Sequence, residues 1–316
     1  MSWFVTPKRL RELGIIGINT RNGLYIGLRN PRSRYPLVDD KLRTKKLAQE
    51  AGLAVPELYG VIRTHHDIRQ LNQILDGHRA FVVKPARGSG GDGIVVIEDR
   101  LDKDLFRRAS GRTLALEALE HHITNILSGA YSLAGQPDVA MIEQYVQFTD
   151  QFKDISYQGV PDIRIIVYRG YPTMAMVRLP TQQSDGKANL HQGAIGAGID
   201  LKTGKTTGGV WLNQPIKEHP DTGNTIVGHT IPHWEELLRL AAGCYELTEL
   251  GYLGVDIVLD RNRGPLILEL NARPGLAIQI ANHKGLGNRL SRIDALADNH
   301  PEATPNERIA QFLATE

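Results

Sequence analysis

Apolar and polar positions fall into short blocks whose period switches repeatedly between helix and strand. Asp40–Gly52 reads as a helix: Asp39 or Asp40 can cap it, Leu42, Leu47 and Ala51 recur at helical spacing, and Gly52 stops it. An extended piece, Val55–Ile62, follows, and then a helical stretch, Thr64–Leu75, with Asp67 three residues after the cap candidate Thr64. Ala80–Pro85 and Ile94–Glu98 read as strands around a glycine-rich loop, Thr113–Leu127 as a helix, and Val139–Val146 as another strand. Asp162–Tyr168 and Thr173–Leu179, separated by Arg169–Pro172, predict a hairpin. Pro180–Gly209 is polar and rich in Gly, Thr and Asn, and its length predicts a functional loop. Pro232 opens a helix to about Leu250, strands Tyr252–Leu259 and Pro265–Leu270 follow, and Thr304 and Glu307 form a capping box for the last helix. Antiparallel-looking strand pairs mixed with helices predict an α+β protein rather than a regular βαβ alternation.

Composition narrows the class. With 316 residues, 41% hydrophobic and 23% charged, and a net charge of only +2, the chain is expected to be an ordinary globular protein and not a disordered one. No apolar run reaches the roughly 18 residues that a membrane helix needs. No signal-peptide pattern is present, and the single cysteine, Cys244, cannot form an internal disulfide, so a cytoplasmic location is expected. The charge is uneven. Up to position 46 there are eleven Lys and Arg against three Asp and Glu, with Trp3, Phe4, Tyr25 and Tyr35 interleaved. This is the footprint of a nucleic-acid or anionic-membrane surface, or else a solvated edge or a patch serving an anionic substrate; no nucleic-acid motif accompanies it, and no nucleic-acid partner is expected.

Two places carry candidate chemistry. Gly88-Ser89-Gly90-Gly91-Asp92-Gly93 formally matches a dinucleotide-binding loop, but a strand rather than a helix follows it, so that reading fails. A strand–loop–strand flap instead can turn its backbone N–H groups onto phosphate, with Lys84 on the entering strand to neutralise charge; an ordinary hairpin turn is the competing reading. The second place is acidic. Glu269 and Asn271 alternate on one apolar strand and so share a face, and Asp256 lies on the preceding strand, able to pair across. Two carboxylates and an amide form an all-oxygen set suited to Mg²⁺, against a plain ion pair of Glu269 with Arg273. His65–His66 and His121–His122 read as surface or capping residues, Cys244 as core, and no zinc spacing occurs.

Taken together, Lys84 before the glycine loop, Glu143-Gln144-Tyr145-Val146 at a strand end and Asp256…Glu269-x-Asn271 resemble the ATP-grasp superfamily. Asp162-Ile-Arg164, Lys187-Ala-Asn189-Leu-His-Gln-Gly193, Gly254-Val-Asp256 and Asn271–Leu276 are similar to RimK-type α-L-glutamate ligases, most of all to the α-L-glutamate ligase-related proteins. The resemblance spans about Asp40 to Asn282. It implies an ATP-grasp fold of two α/β lobes clasping ATP, with a shortened N-terminal region: a basic leader at 1–39, a lobe with the flap at 40–146 and a lobe with the metal site at 147–316. It implies that Lys84 and the loop Gly88, Ser89, Gly90, Gly91 and Gly93 contact phosphates, that Glu143 to Val146 receive adenine, and that Asp162 takes the ribose. Lys187 and Asn189 reach the triphosphate and metal, and Lys41 is a further nucleotide contact. Asp256, Glu269 and Asn271 hold two Mg²⁺, with Mn²⁺ as an alternative. The resemblance makes Arg164 and Arg178 candidates for stabilising the transferring phosphoryl group. Arg273 and the segment Gln147–Val160 depart from the RimK-type pattern, and the Arg273 guanidinium is expected to recognise a carboxylate bidentately. His191 is a candidate lining residue.

The implied activity is a carboxylate–amine ligase that forms an acyl-phosphate and adds an amino acid such as glutamate to a peptide, protein or other carboxylate. The acceptor site is then built from the basic leader or completed by a partner protein. The alternatives are a phosphotransferase on the same fold and a nucleotide-binding regulatory or assembly subunit.

Overall fold

The computed structural model describes residues 5–88, 91–132 and 135–316; Ser89 and Gly90 of the expected phosphate loop, and Trp3 and Phe4, lie outside the described residues. The chain forms two compact units. The smaller comprises Asp40–Lys46 and Val55–Gln147, and the larger comprises residues 5–39, Leu47–Ala54 and Phe148–Glu316. The N-terminal segment expected as a leader is thus part of the larger unit.

The smaller unit is built on a six-stranded sheet of β1 (Leu58–Ile62), β2 (Phe81–Pro85), β3 (Val95–Asp102), β4 (Leu105–Arg108), β5 (Thr113–Ala115) and β6 (Ala140–Gln144). Its order is β1-β6-β2-β3-β4-β5, every pair antiparallel. The helix Leu116–Leu127 lays Leu119, Ile123 and Ile126 on this sheet, where they join Phe81, Val83, Ile97, Phe106 and Ile142 in one core. Phe81 and Phe106 meet edge to face at 5.5 Å, a geometry that adds about 1 kcal/mol to their burial. The expected helix at Thr113 begins three residues later. Thr113–Ala115 pair with β4 instead, because an edge strand open to pairing outcompetes one more helical turn. Thr64 and Asp67 make the expected capping box, although the turn they start is a 3-10 helix, His65–Gln70.

The larger unit carries seven strands: β7 (Asp162–Tyr168), β8 (Tyr171–Leu179), β9 (Ile195–Ile199), β10 (Thr206–Trp211), β11 (Gln214–Ile216), β12 (Tyr252–Asp260) and β13 (Gly264–Asn271). The order is β11-β10-β9-β8-β7-β12-β13, again all antiparallel. β12 is buried at all nine positions, as expected for a strand covered on both faces. The helices Trp234–Thr248 and Pro305–Thr315 pack on the sheet and on each other, and Thr304 and Glu307 cap the latter as expected. Pro180–Gly209 is not a loop throughout: it contains β9 and the start of β10. Gly196, Ala197 and Gly198 carry no alternating side chains to show a strand, and they are small because neighbours press on them. A Cβ at Gly198 would stand 2.6 Å from the Ala281 carbonyl oxygen.

Candidate functional site

In the smaller unit, antiparallel pairing sets Val82 opposite Glu143 and Lys84 opposite Met141. Glu143 is 2% exposed, and its carboxylate receives two ammonium groups: Lys84, in a close contact, and Lys45 from the helix Lys41–Glu50, at 2.8 Å. Burial alone would raise the Glu143 pKa, but Lys84 and then Lys45 overrule it and hold the carboxyl below its usual range. Lys45 also donates to the Pro56 carbonyl. Sequence reasoning missed Lys45; a Lys at helical spacing from the selected Lys41 was the available signal. Lys41 itself donates to the carbonyl of Gly88, at the root of the glycine loop.

The loop is pinned at both described ends. On the entering side, Asp138 accepts from the Arg87 backbone N–H (2.8 Å) and from Ser132 (3.1 Å), and Gly88 bridges to Ser132. On the leaving side, His122 Nε2 lies 2.8 Å from the Gly93 carbonyl oxygen and Tyr131 Oη 3.3 Å from His122 Nδ1. Gly93 has φ +76°, and a Cβ there would meet the Tyr131 ring at 2.6 Å, so a side chain is excluded on both counts. His122, expected as a surface or capping residue, is half-buried, and burial pushes its pKa down, which favours the neutral ring. Of the residues expected to receive adenine, Gln144 accepts from the Glu57 N–H (3.2 Å) and Tyr145 donates to Glu98 (3.4 Å); Val146 is buried.

In the larger unit the register gathers the acidic residues on one face. Asp256 faces Glu269 on β13 and Arg164 on β7; Asn271 faces Gly254; Asp162 faces Arg178 on β8. Arg164 donates from Nε (2.7 Å) and Nη2 (2.6 Å) to the two oxygens of Asp256. Arg178 is bidentate on Asp162 through Nε and Nη2, and its Nη2 also reaches Asp256 at 2.7 Å. Asp256 is 3% exposed and Asp162 6%. Burial would raise Asp256, but Arg164 and Arg178 overrule it and hold it at about 2. For Asp162 burial wins over Arg178, and with Asp256 close by, its pKa is pushed up to about 6.

The other expected site residues are more dispersed in role. Asn271 Oδ1 accepts from the Arg273 N–H at 2.8 Å, and the exposed Arg273 guanidinium lies 4.9 Å over the Tyr35 ring. Asn189 caps the short turn Leu190–Gln192 by accepting from the His191 N–H (3.0 Å), and Lys187 and His191 are exposed. Asp162 is engaged by Arg178 rather than turned to solvent. Among the described residues, no group of three or more His, Cys, Asp or Glu side chains is arranged to hold a metal ion. The set Asp256, Glu269 and Asn271, with only two carboxylates, is an oxygen-donor set of the type Mg²⁺ takes.

The model of the sugar-transfer associated ATP-grasp family matches residues 20–295. The chain belongs to that family. Its two antiparallel sheets with helices accord with the ATP-grasp fold expected from the motifs. The curated relatives include the ribosomal protein bS6–L-glutamate ligases of Shigella boydii serotype 4 (strain Sb227) and Escherichia coli O7:K1. Each is 26% identical over 237 residues, covering 75% of this chain and 56% of the relative. The chain thus spans little more than half the length of the curated relatives it matches. Among solved structures, the D-alanine–D-alanine ligase of Bacillus anthracis complexed with ATP is similar over 90% of this chain and 70% of that one. It has a TM-score of 0.47 and 13% identity. No helix among the described residues is long and apolar enough to cross a membrane.

Proposed function

We propose that this ATP-grasp protein is an ATP- and Mg²⁺-dependent carboxylate–amine ligase that works through an acyl-phosphate, as the relatives named as glutamate ligases suggest. The observation that carries this reading is the single sheet face on which Asp256, Glu269, Asn271, Arg164 and Arg178 converge. A buried carboxylate gripped by two guanidiniums is costly to build for stability alone.

In this reading Lys84 and Lys45 bind phosphate oxygens. Their ammoniums are already desolvated and share one carboxylate, so an anion meets an excess of positive charge. The pinned glycine loop presents backbone N–H groups and, closed over the phosphates, keeps water from the acyl-phosphate. Glu143 to Val146 receive the adenine. Asp256, Glu269 and Asn271 would hold the metal, which supplies charge neutralisation at the phosphoryl oxygens. Arg178 and Arg164 would take over the charge spread on the transferring group, their planar forks being suited to paired oxygens. The carboxylate oxygen attacks the γ-phosphorus and ADP leaves; the amine then attacks the acyl carbon and expels phosphate. No protein nucleophile is needed.

The alternative is a phosphotransferase in which a hydroxyl attacks ATP directly, and the family's description, sugar-transfer associated, makes sugars the hydroxyl compounds to try first. An ADP-release screen of amino acids, peptides and sugars with Mg-ATP, with mass spectrometry of products, separates the two. Amine-dependent release of ADP together with phosphate marks the ligase; ADP release with a phosphorylated product and no free phosphate marks the phosphotransferase.

A further inference from the structure

Twelve large hydrophobic side chains are exposed among the described residues, and six of them, Val5, Leu10, Leu13, Ile18, Leu24 and Leu28, fall within the segment 5–28. Isolated exposed leucines are ordinary; such a concentration is not. The helical run Ile18–Arg29 has a π-helical middle, Arg21–Ile26, between two short α-helical ends. Arg21, Tyr25 and Arg29 hold the run to the larger unit. Arg21 donates to the Pro274 carbonyl (2.7 Å), Tyr25 packs edge-on to Tyr168 at 5.5 Å, and Arg29 pairs with Asp294 at 3.3 Å. Leu24 and Leu28, from the same run, are 57% and 71% exposed.

The preceding helix, Pro7–Glu12, has no buried residue at all. It is six residues long, capped by Thr6 and braced by Arg9–Glu12 at 3.2 Å. A helix this short has little stability of its own in water, so it needs a surface to pack on. Its exposed cations Lys8, Arg9 and Arg11, against the single acid Glu12, state the sign of that surface.

We infer that residues 5–28 form an interfacial anchor for an anionic lipid surface, with the leucines entering the headgroup boundary and the cations meeting lipid phosphates. Apolar side chains interleaved with Lys and Arg on short helices, with no spanning segment, are the pattern of a chain that lies on a membrane rather than in it. Several basic residues and apolar insertion act together, since either alone binds weakly. The inference does not depend on the ligase reading, because none of these residues is among the nucleotide, metal or phosphoryl contacts named above.

Flotation of the full chain with phosphatidylcholine vesicles, with and without phosphatidylglycerol, tests it. Binding is expected only to the phosphatidylglycerol vesicles and is expected to weaken with salt. The double substitution Leu24→Glu/Leu28→Glu and the triple substitution Lys8→Glu/Arg9→Glu/Arg11→Glu should each lower vesicle affinity by more than about tenfold. Both variants should melt like the unsubstituted protein, as the altered side chains are exposed. Three results overturn the inference: no binding to either vesicle type, binding that survives both sets of substitutions, or a dimer in light scattering that Leu24→Glu/Leu28→Glu dissociates. The last would show that a second copy of the chain covers this face.

Discussion

In the smaller unit two lysines share one buried glutamate, whereas in the larger unit two arginines share two buried aspartates. The first arrangement leaves one positive charge in excess, on flexible stems whose ammoniums have no preferred plane. In the second, Arg164 on Asp256 and Arg178 on Asp162 are each a fork on a fork, Arg178 makes one further bond to Asp256, and Glu269 adds a third carboxylate on the same face. The same problem, charge inside a sheet, is solved once with point charges of loose geometry and once with fixed directions. In the function proposed above, phosphate binding suits the former, and metal placement and in-line transfer suit the latter.

Breaking the second cluster should have the larger effects. Glu269→Ala is expected to lower Mg²⁺-dependent ATP turnover by about 10²–10³-fold, the scale of losing one preorganised charge contact, while circular dichroism shows a folded protein. Turnover at the unsubstituted level would remove Glu269 from the metal role. Asp256→Ala leaves Arg164 and Arg178 without their shared partner and is expected to cost about 3–5 kcal/mol in urea unfolding, as for other broken buried pairs. A cost near zero would mean that the guanidiniums find solvent.

Titration sharpens the contrast further. Asp162 binds its proton more tightly when folded, with a pKa near 6 against an ordinary 3.8. Its contribution to stability is therefore complete below about pH 4 and is lost as pH rises through 6. Asp256 runs the other way: held at about 2, it contributes above pH 4 and is lost as pH falls toward 2. Asp162→Asn should accordingly remove the decline between pH 4 and 6 while keeping the acid-side decline; an unchanged profile would contradict the assignment. The smallest effect is expected for Arg273→Ala, whose guanidinium stacks on Tyr35 at an exposed position, with about 0.5–1 kcal/mol lost in thermal unfolding. A much larger loss would mean that Arg273 braces the site.

Much of this was legible in the chain. Alternation on Leu266–Asn271 places Glu269 and Asn271 on one face, and β12 and β13 then put Asp256 opposite Glu269. The cap residues Thr64 and Thr304 marked their turns. What stayed hidden depended on pairing between distant residues. Nothing in Asp162-Ile-Arg164 shows that Asp162 pairs with Arg178 and Arg164 with Asp256, because a strand sequence gives faces but not partners. Lys45 was hidden for the same reason: only the fold brings it to Glu143. β9 was missed because glycine and alanine show no period. The role of His122 depends on a glycine carbonyl 29 positions away.

Calorimetric titration with ATP, with and without Mg²⁺, tests the division of labour most directly. The account predicts that Lys84→Met weakens ATP binding at least about tenfold in both conditions, the scale of one charge-assisted hydrogen bond. Glu269→Ala should leave metal-free binding intact and abolish the gain from Mg²⁺. Equal affinity in Lys84→Met, or an undiminished Mg²⁺ effect in Glu269→Ala, would contradict it.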